Sequence, residues 1–138
     1  MRVFLDTNVV VGAVATRGLC ADVLRDALAH HDLIASEVLL DEIHRVLVTK
    51  LGVPTELASE VVTLIRKSAF LSEPSGTIDV SIEGAEDRAL VLAAMAGRAD
   101  LFVTGDRKLL KIARFGTMEI VSPRIFWERV RASSDRGG

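Results

Sequence analysis

Val3-Phe4-Leu5-Asp6-Thr7-Asn8 and Leu101-Phe102-Val103-Thr104-Gly105-Asp106 are the two stretches that decide the fold. Each is a short β-prone run that closes on an acid. Neither alternates apolar with polar residues, so each predicts a strand buried on both faces, as in a parallel sheet. Leu33-Ile34-Ala35, Ala69-Phe70-Leu71 and Glu119-Ile120-Val121 read the same way, giving about five short strands. The segments between them carry helical periodicity. Helices are predicted near Val9–Val14 and over Leu19–Ala29, Glu37–Lys50, Thr55–Lys67, Ala85–Gly97, Lys108–Arg114 and Arg124–Arg131. Ser36 is placed to cap the third, and Pro123 to sit in the first turn of the last. Leu57, Val61, Leu64 and Ile65 form the expected buried stripe of the fourth. Strands alternating with helices define an α/β class: one domain over residues 1–131, with a central parallel sheet covered by helices on both faces. Residues 132–138 read as a frayed, disordered tail.

Composition narrows the chemistry. The 138 residues include one cysteine, which excludes a disulfide framework and a cysteine-cluster metal site. Aromatics make up 4% with no tyrosine, too few for a sheet that stacks bases on aromatic rings. No apolar run approaches the ~18 residues of a membrane helix. The opening run breaks at Asp6, too early for a signal peptide. A soluble cytoplasmic protein is expected. The net charge of −2 conceals an asymmetry: residues 1–97 hold 8 Lys and Arg against 14 Asp and Glu, whereas residues 98–138 hold 9 against 5. An acidic concentration beside a basic segment suits a metal site that receives a polyanion, although charges scattered over solvated helices give the same balance.

In a parallel sheet, ligands bind beyond the carboxyl ends of the strands. Asp6 and Asp106 both emerge there, although either could simply cap the following helix. Glu42 interrupts an apolar pattern of Val38, Leu39, Ile43 and Val46, where an unpaired carboxylate is costly unless something pairs with it. Asp87 opens the Ala-rich helix on the side of Leu90, Val91 and Ala94; helix capping is the plainer explanation, and it also suits Glu83 and Glu86. Two carboxylates ~5 Å apart repel by roughly 3 kcal/mol at an effective dielectric of 20. If Asp6, Glu42, Asp87 and Asp106 converge, they need protons or a divalent cation. All-oxygen ligands favour Mg²⁺ or Mn²⁺. Other site types fail on inventory, since the chain has no phosphate-cradling glycine loop and no paired histidine spacing. Arg107, Lys111 and Arg114, spaced i, i+4, i+7 from Asp106 onward, predict a basic stripe for phosphates flanking a scissile bond, or else an ordinary solvated face.

Asp6-Thr7-Asn8, Ser36-Glu37-Val38-Leu39-Leu40-Asp41-Glu42, Glu86-Asp87-Arg88-Ala89-Leu90 and Val103-Thr104-Gly105-Asp106-Arg107 together resemble the four acidic motifs of the PIN domain. Within that group the chain is similar to the VapC-like toxins of type II toxin–antitoxin systems, from Met1 to about Arg131. The resemblance implies a parallel sheet sandwiched by helices, Mg²⁺- or Mn²⁺-dependent cleavage of RNA, a homodimer, and a cognate antitoxin that blocks the site. It assigns catalysis to Asp6, Glu42, Asp87 and Asp106, with Asp6, Asp87 and Asp106 holding metal and Asn8 and Thr104 in support. Relatives often carry a denser acidic run before the third acid; here it reads Glu83-Gly84-Ala85-Glu86-Asp87, so Glu86 could share that role. Two alternatives stand beside this reading: a DNA nuclease of the same fold, and a catalytically silent protein-binding module. Retention of all four acids weighs against the second.

Overall fold

The computed structural model describes residues 1–78 and 82–137. Six strands form one sheet: β1 (Arg2–Leu5), β2 (Asp32–Ala35), β3 (Phe70–Leu71), β4 (Leu101–Val103), β5 (Arg114–Phe115) and β6 (Met118–Val121). Their order is β3-β2-β1-β4-β6-β5, and every pairing is parallel except the β5–β6 hairpin. The helices are α1 (Thr7–Ala15), α2 (Leu19–His30), α3 (Glu37–Thr49), α4 (Thr55–Ser68), α5 (Ala85–Ala96), α6 (Arg107–Ile112) and α7 (Pro123–Gly137). Among the described residues, no single helix is long and apolar enough to cross a membrane.

Successive strand residues point to opposite faces, and Val3, Phe4 and Leu5 are all buried, as are Leu101, Phe102 and Val103. Both faces of the central strands are therefore covered. Phe4 and Phe102 are register partners on β1 and β4, and their rings stack with centroids 5.2 Å apart. The order of connection reverses between these two strands: the chain moves outward through β2 and β3, then returns to the other side of β1 as β4 and β6. This boundary is the switch point at which an open α/β sheet binds ligands.

The expected elements are present, with four differences. The helix predicted over Lys108–Arg114 stops at Ile112, because Ala113 turns into a left-handed conformation (φ +69°). Arg114 and Phe115 instead form a sixth strand that returns through Gly116-Thr117, with Gly116 (φ +57°) at the first position of a two-residue hairpin turn. On α4 the buried residues are Ala58 and Ile65, while Leu57 and Leu64 point outward at 46% and 55% exposure, so the stripe is rotated from the expected one. The last helix, expected to end at Arg131, continues to Gly137; Gly138 lies outside the described residues. His31, just after α2, is mostly buried, with its ring nitrogen 2.9 Å from Asp26 and its ring edge-on to Phe126.

Candidate active site

The site is assembled from the ladder between β1 and β4. Asp6 N–H donates to the Val103 carbonyl (2.9 Å), and Thr104 N–H donates to that of Val121 (3.0 Å), so the sheet pairing carries both residues to the rim. Asp6 is buried there and caps α1, its Oδ1 accepting from Thr7 N–H at 2.8 Å. Its Oδ2 accepts from the fully buried Thr104 hydroxyl (2.7 Å) and from Asn8 Nδ2 (3.2 Å). Thr104 Oγ1 in turn accepts from Asp106 N–H at 3.0 Å, and Asn8 Oδ1 accepts from Gly105 N–H at 2.8 Å. Four of the residues read from the sequence, Asp6, Asn8, Thr104 and Asp106, thus form one network across the switch point. Asp106 also caps α6, accepting from Lys108 N–H at 2.9 Å. Both acids are therefore helix caps and members of this network at once.

The other two acids come from neighbouring helices. Ser36 caps α3, its Oγ accepting from Leu39 N–H at 3.2 Å, and this sets the turn that carries Glu42. Among the described residues, the buried Glu42 Oε2 and Thr7 Oγ1 have no hydrogen-bond partner. The Thr7 hydroxyl lies near enough to favour the charged form of Glu42, but the approach falls short of a hydrogen bond. Asp87 stands in the first turn of α5, whose N-cap, Gly84 (φ +91°), has no side chain to offer. Glu86 is engaged elsewhere: both its oxygens accept from Arg45 Nη2 at 3.0 Å, strapping α5 to α3.

The acids feel one another. Burial raises the Asp6 carboxyl above the usual range, and the charge of Asp87 adds to it, against hydrogen bonds from Thr104, Thr7 and Asn8. Burial also raises Glu42, with further contributions from Glu86, Asp6 and Asp87. Asp87 is raised by burial, then by Asp106 and Glu86, and is partly relieved by Lys108. Burial is the first cause of all three shifts, and neighbouring carboxylates add to it, which is what acids gathered at a partly dry rim do. Among the described residues, no three His, Cys, Asp or Glu side chains surround a single point closely enough to enclose an ion. The donors still suit Mg²⁺, which retains several waters and is bound through only one or two carboxylates. The orphaned Glu42 oxygen is one such free acceptor.

Asp87 and Asp106 share a cleft of about 420 Å³ with Ile82, Glu83, Lys108 and Lys111. A larger cavity, about 480 Å³, opens between α2 and α7 beside Met1 at the opposite rim of the sheet, and contains none of these acids. The three-residue basic stripe is not formed. Arg107 and Lys111 lie on α6, but Arg114 is on β5, paired across the hairpin with Glu119 at 3.6 Å. Lys108, absent from the sequence-derived set, is the cation beside Asp87. Its proximity to a strand end was the available signal, and Arg107, one residue closer to Asp106, masked it.

The sequence matches the PIN domain over residues 2–108, and the chain belongs to the PIN-domain family. Its fold is similar to that of VapBC2 from Rickettsia felis, crystallised with a DNA fragment from the promoter, with a TM-score of 0.64, 16% identity, and coverage of 88% of this chain and 98% of that one. It is similar also to VapBC-1 from nontypeable Haemophilus influenzae, with a TM-score of 0.62, 17% identity, and coverage of 90% and 99%. No curated protein matches the sequence.

Proposed function

We propose that this chain is a divalent-metal-dependent endoribonuclease, a VapC-like toxin of a type II toxin–antitoxin pair that acts on RNA in the cytoplasm. The observation that carries the reading is the hydrogen-bonded network of Asp6, Asn8, Thr104 and Asp106 at the β1–β4 switch point, with Asp87 lining the same cleft as Asp106. Membership of the PIN family supports it. The likeness in fold to two VapBC structures supports a cognate antitoxin as partner. The outward-facing Leu57 and Leu64 of α4 support association with a protein surface, including a second copy in a homodimer.

In this reading Asp6, Asp87 and Asp106 hold Mg²⁺ or Mn²⁺ directly or through water. The ion supplies charge neutralisation at the phosphate and a more acidic attacking water. Thr104 and Asn8 fix the Asp6 carboxylate by donating to Oδ2. Glu42, carried in from α3, completes the acidic shell or orients the attacking water. Asp87, rather than Glu86, is the ligand from α5, because Arg45 already occupies both Glu86 oxygens.

The test is cleavage of cellular RNA with and without chelator. EDTA should abolish cleavage and Mg²⁺ or Mn²⁺ restore it, while full activity in excess EDTA overturns the reading. Running single-stranded DNA in parallel separates a ribonuclease from a DNA nuclease of the same fold.

A further inference from the structure

We propose that Lys108 and Lys111 form the phosphate-binding wall of the cleft beside Asp87 and Asp106, and that Glu83 occupies Lys108 until a substrate phosphate displaces it. The inference rests on the ribonuclease reading and specifies how that site takes its polyanion.

Three observations carry it. First, both lysines line the same cleft as Asp87 and Asp106, on the α6 side. A wall of acids alone repels a polyanion, so a strand reaches the metal-binding carboxylates only where cations offset them. Second, the two residues are three apart on one helix and hence neighbours on its surface. Among the described residues, no acid lies within ion-pair distance of Lys111. Third, Lys108 Nζ sits 3.2 Å from Glu83 Oε2, and both side chains are about four-fifths exposed, at 79% and 84%. An ion pair so exposed is weak and screened by salt. A phosphate held in place by the rest of its strand outcompetes it. Glu83 is a neighbour in the cleft that mimics the charge of the substrate at the one lysine nearest Asp87.

The experiment measures binding of a fluorescein-labelled single-stranded RNA to the Asp6→Asn protein over a range of salt, so that the RNA stays intact. Lys108→Ala should weaken binding severalfold at low salt and make the slope of log K against log[salt] shallower by about 0.7, the value for one single-strand phosphate contact. Glu83→Gln should do the opposite, tightening binding by up to about fivefold, the worth of an exposed ion pair. The double variant should bind as Lys108→Ala does, because Glu83 acts only through Lys108. Unchanged affinity in Glu83→Gln overturns the proposal, and so does tightening that persists without Lys108. A parent protein that binds no RNA at any salt overturns the ribonuclease reading as well, whereas a parent that binds while both single variants match it sinks only the lysine wall.

Discussion

At the scale of single residues, the site sets stability against charge. Asp6, Glu42 and Asp87 each have a carboxyl pKa above the ordinary value in the folded chain. Between the unfolded and folded values the native state binds more protons, so this contribution to stability is greatest in acid. It is lost as pH rises through the folded values. Asp87, whose charged form accepts no hydrogen bond among the described residues, is the residue to neutralise. Asp87→Asn should melt higher than wild type in metal-free buffer, by a margin that grows as pH rises from the ordinary aspartate value through the raised folded value and is level above it. Added Mg²⁺ should narrow that margin by stabilising only the wild type. A gap in melting temperature that shrinks with rising pH contradicts the sign. Asp6→Asn should lose cleavage by orders of magnitude without this gain, since its new amide group faces the donors of Asn8 and Thr104. Asp22→Asn, which removes only the helix-surface pair with Arg25, is the control and should cleave as wild type does. Equal losses at Asp6 and Asp22 speak against the site.

At the scale of elements, a helix or strand was legible where its side chains repeat a period, and illegible where a single backbone angle decides. The caps at Ser36 and Asp106, the buried strands and the break in pattern at Glu42 all follow from local chemistry. The end of α6 does not. Lys108-Leu109-Leu110-Lys111-Ile112-Ala113-Arg114 reads as one helix, and alanine gives no warning of φ +69°. The warning lay further on, in Phe115-Gly116-Thr117-Met118, a glycine turn between apolar residues. Tertiary pairing with β6 overrides helical propensity at Arg114. On α4, likewise, the sequence shows which residues are apolar but not which apolar face meets the core. Cross-element ion pairs such as Arg45 with Glu86 and Lys108 with Glu83 join residues 41 and 25 positions apart, and no local pattern encodes them. The left-handed residue offers its own test. Ala113→Gly relieves a strained backbone at some cost in chain entropy and should change stability by no more than about 1 kcal/mol, in the stabilising direction, on urea denaturation. A loss of several kcal/mol contradicts the strained geometry.

At the scale of the whole molecule, the sheet and its covering helices share one continuous core, from Val3 on β1 to Phe126 on α7. Gly97, the C-cap of α5, lies tight against β2 and the residue after β3: a Cβ there would meet Ile34 Cγ2 at 2.5 Å and Ser72 Oγ at 3.1 Å. Gly97→Ala should therefore destabilise the fold by about 1–3 kcal/mol, as overpacking does, and lower the urea midpoint with little change in slope. A variant as stable as wild type means that α5 sits further from β2 than described.

The pairing of β1 with β4 has one more consequence, which concerns how the protein is made. Asp6 receives its hydroxyl partner from Thr104, 98 residues later in the chain. A growing polypeptide therefore presents Asp6 and Glu42 long before it can close the network around them. Until the ribosome has translated past Asp106, the nascent chain has β1 with one flank bare and only part of its acidic set. A chain organised in this way gains its complete acidic network only in the last stage of its synthesis, and fragments that end before Thr104 lack the hydroxyl that holds Asp6.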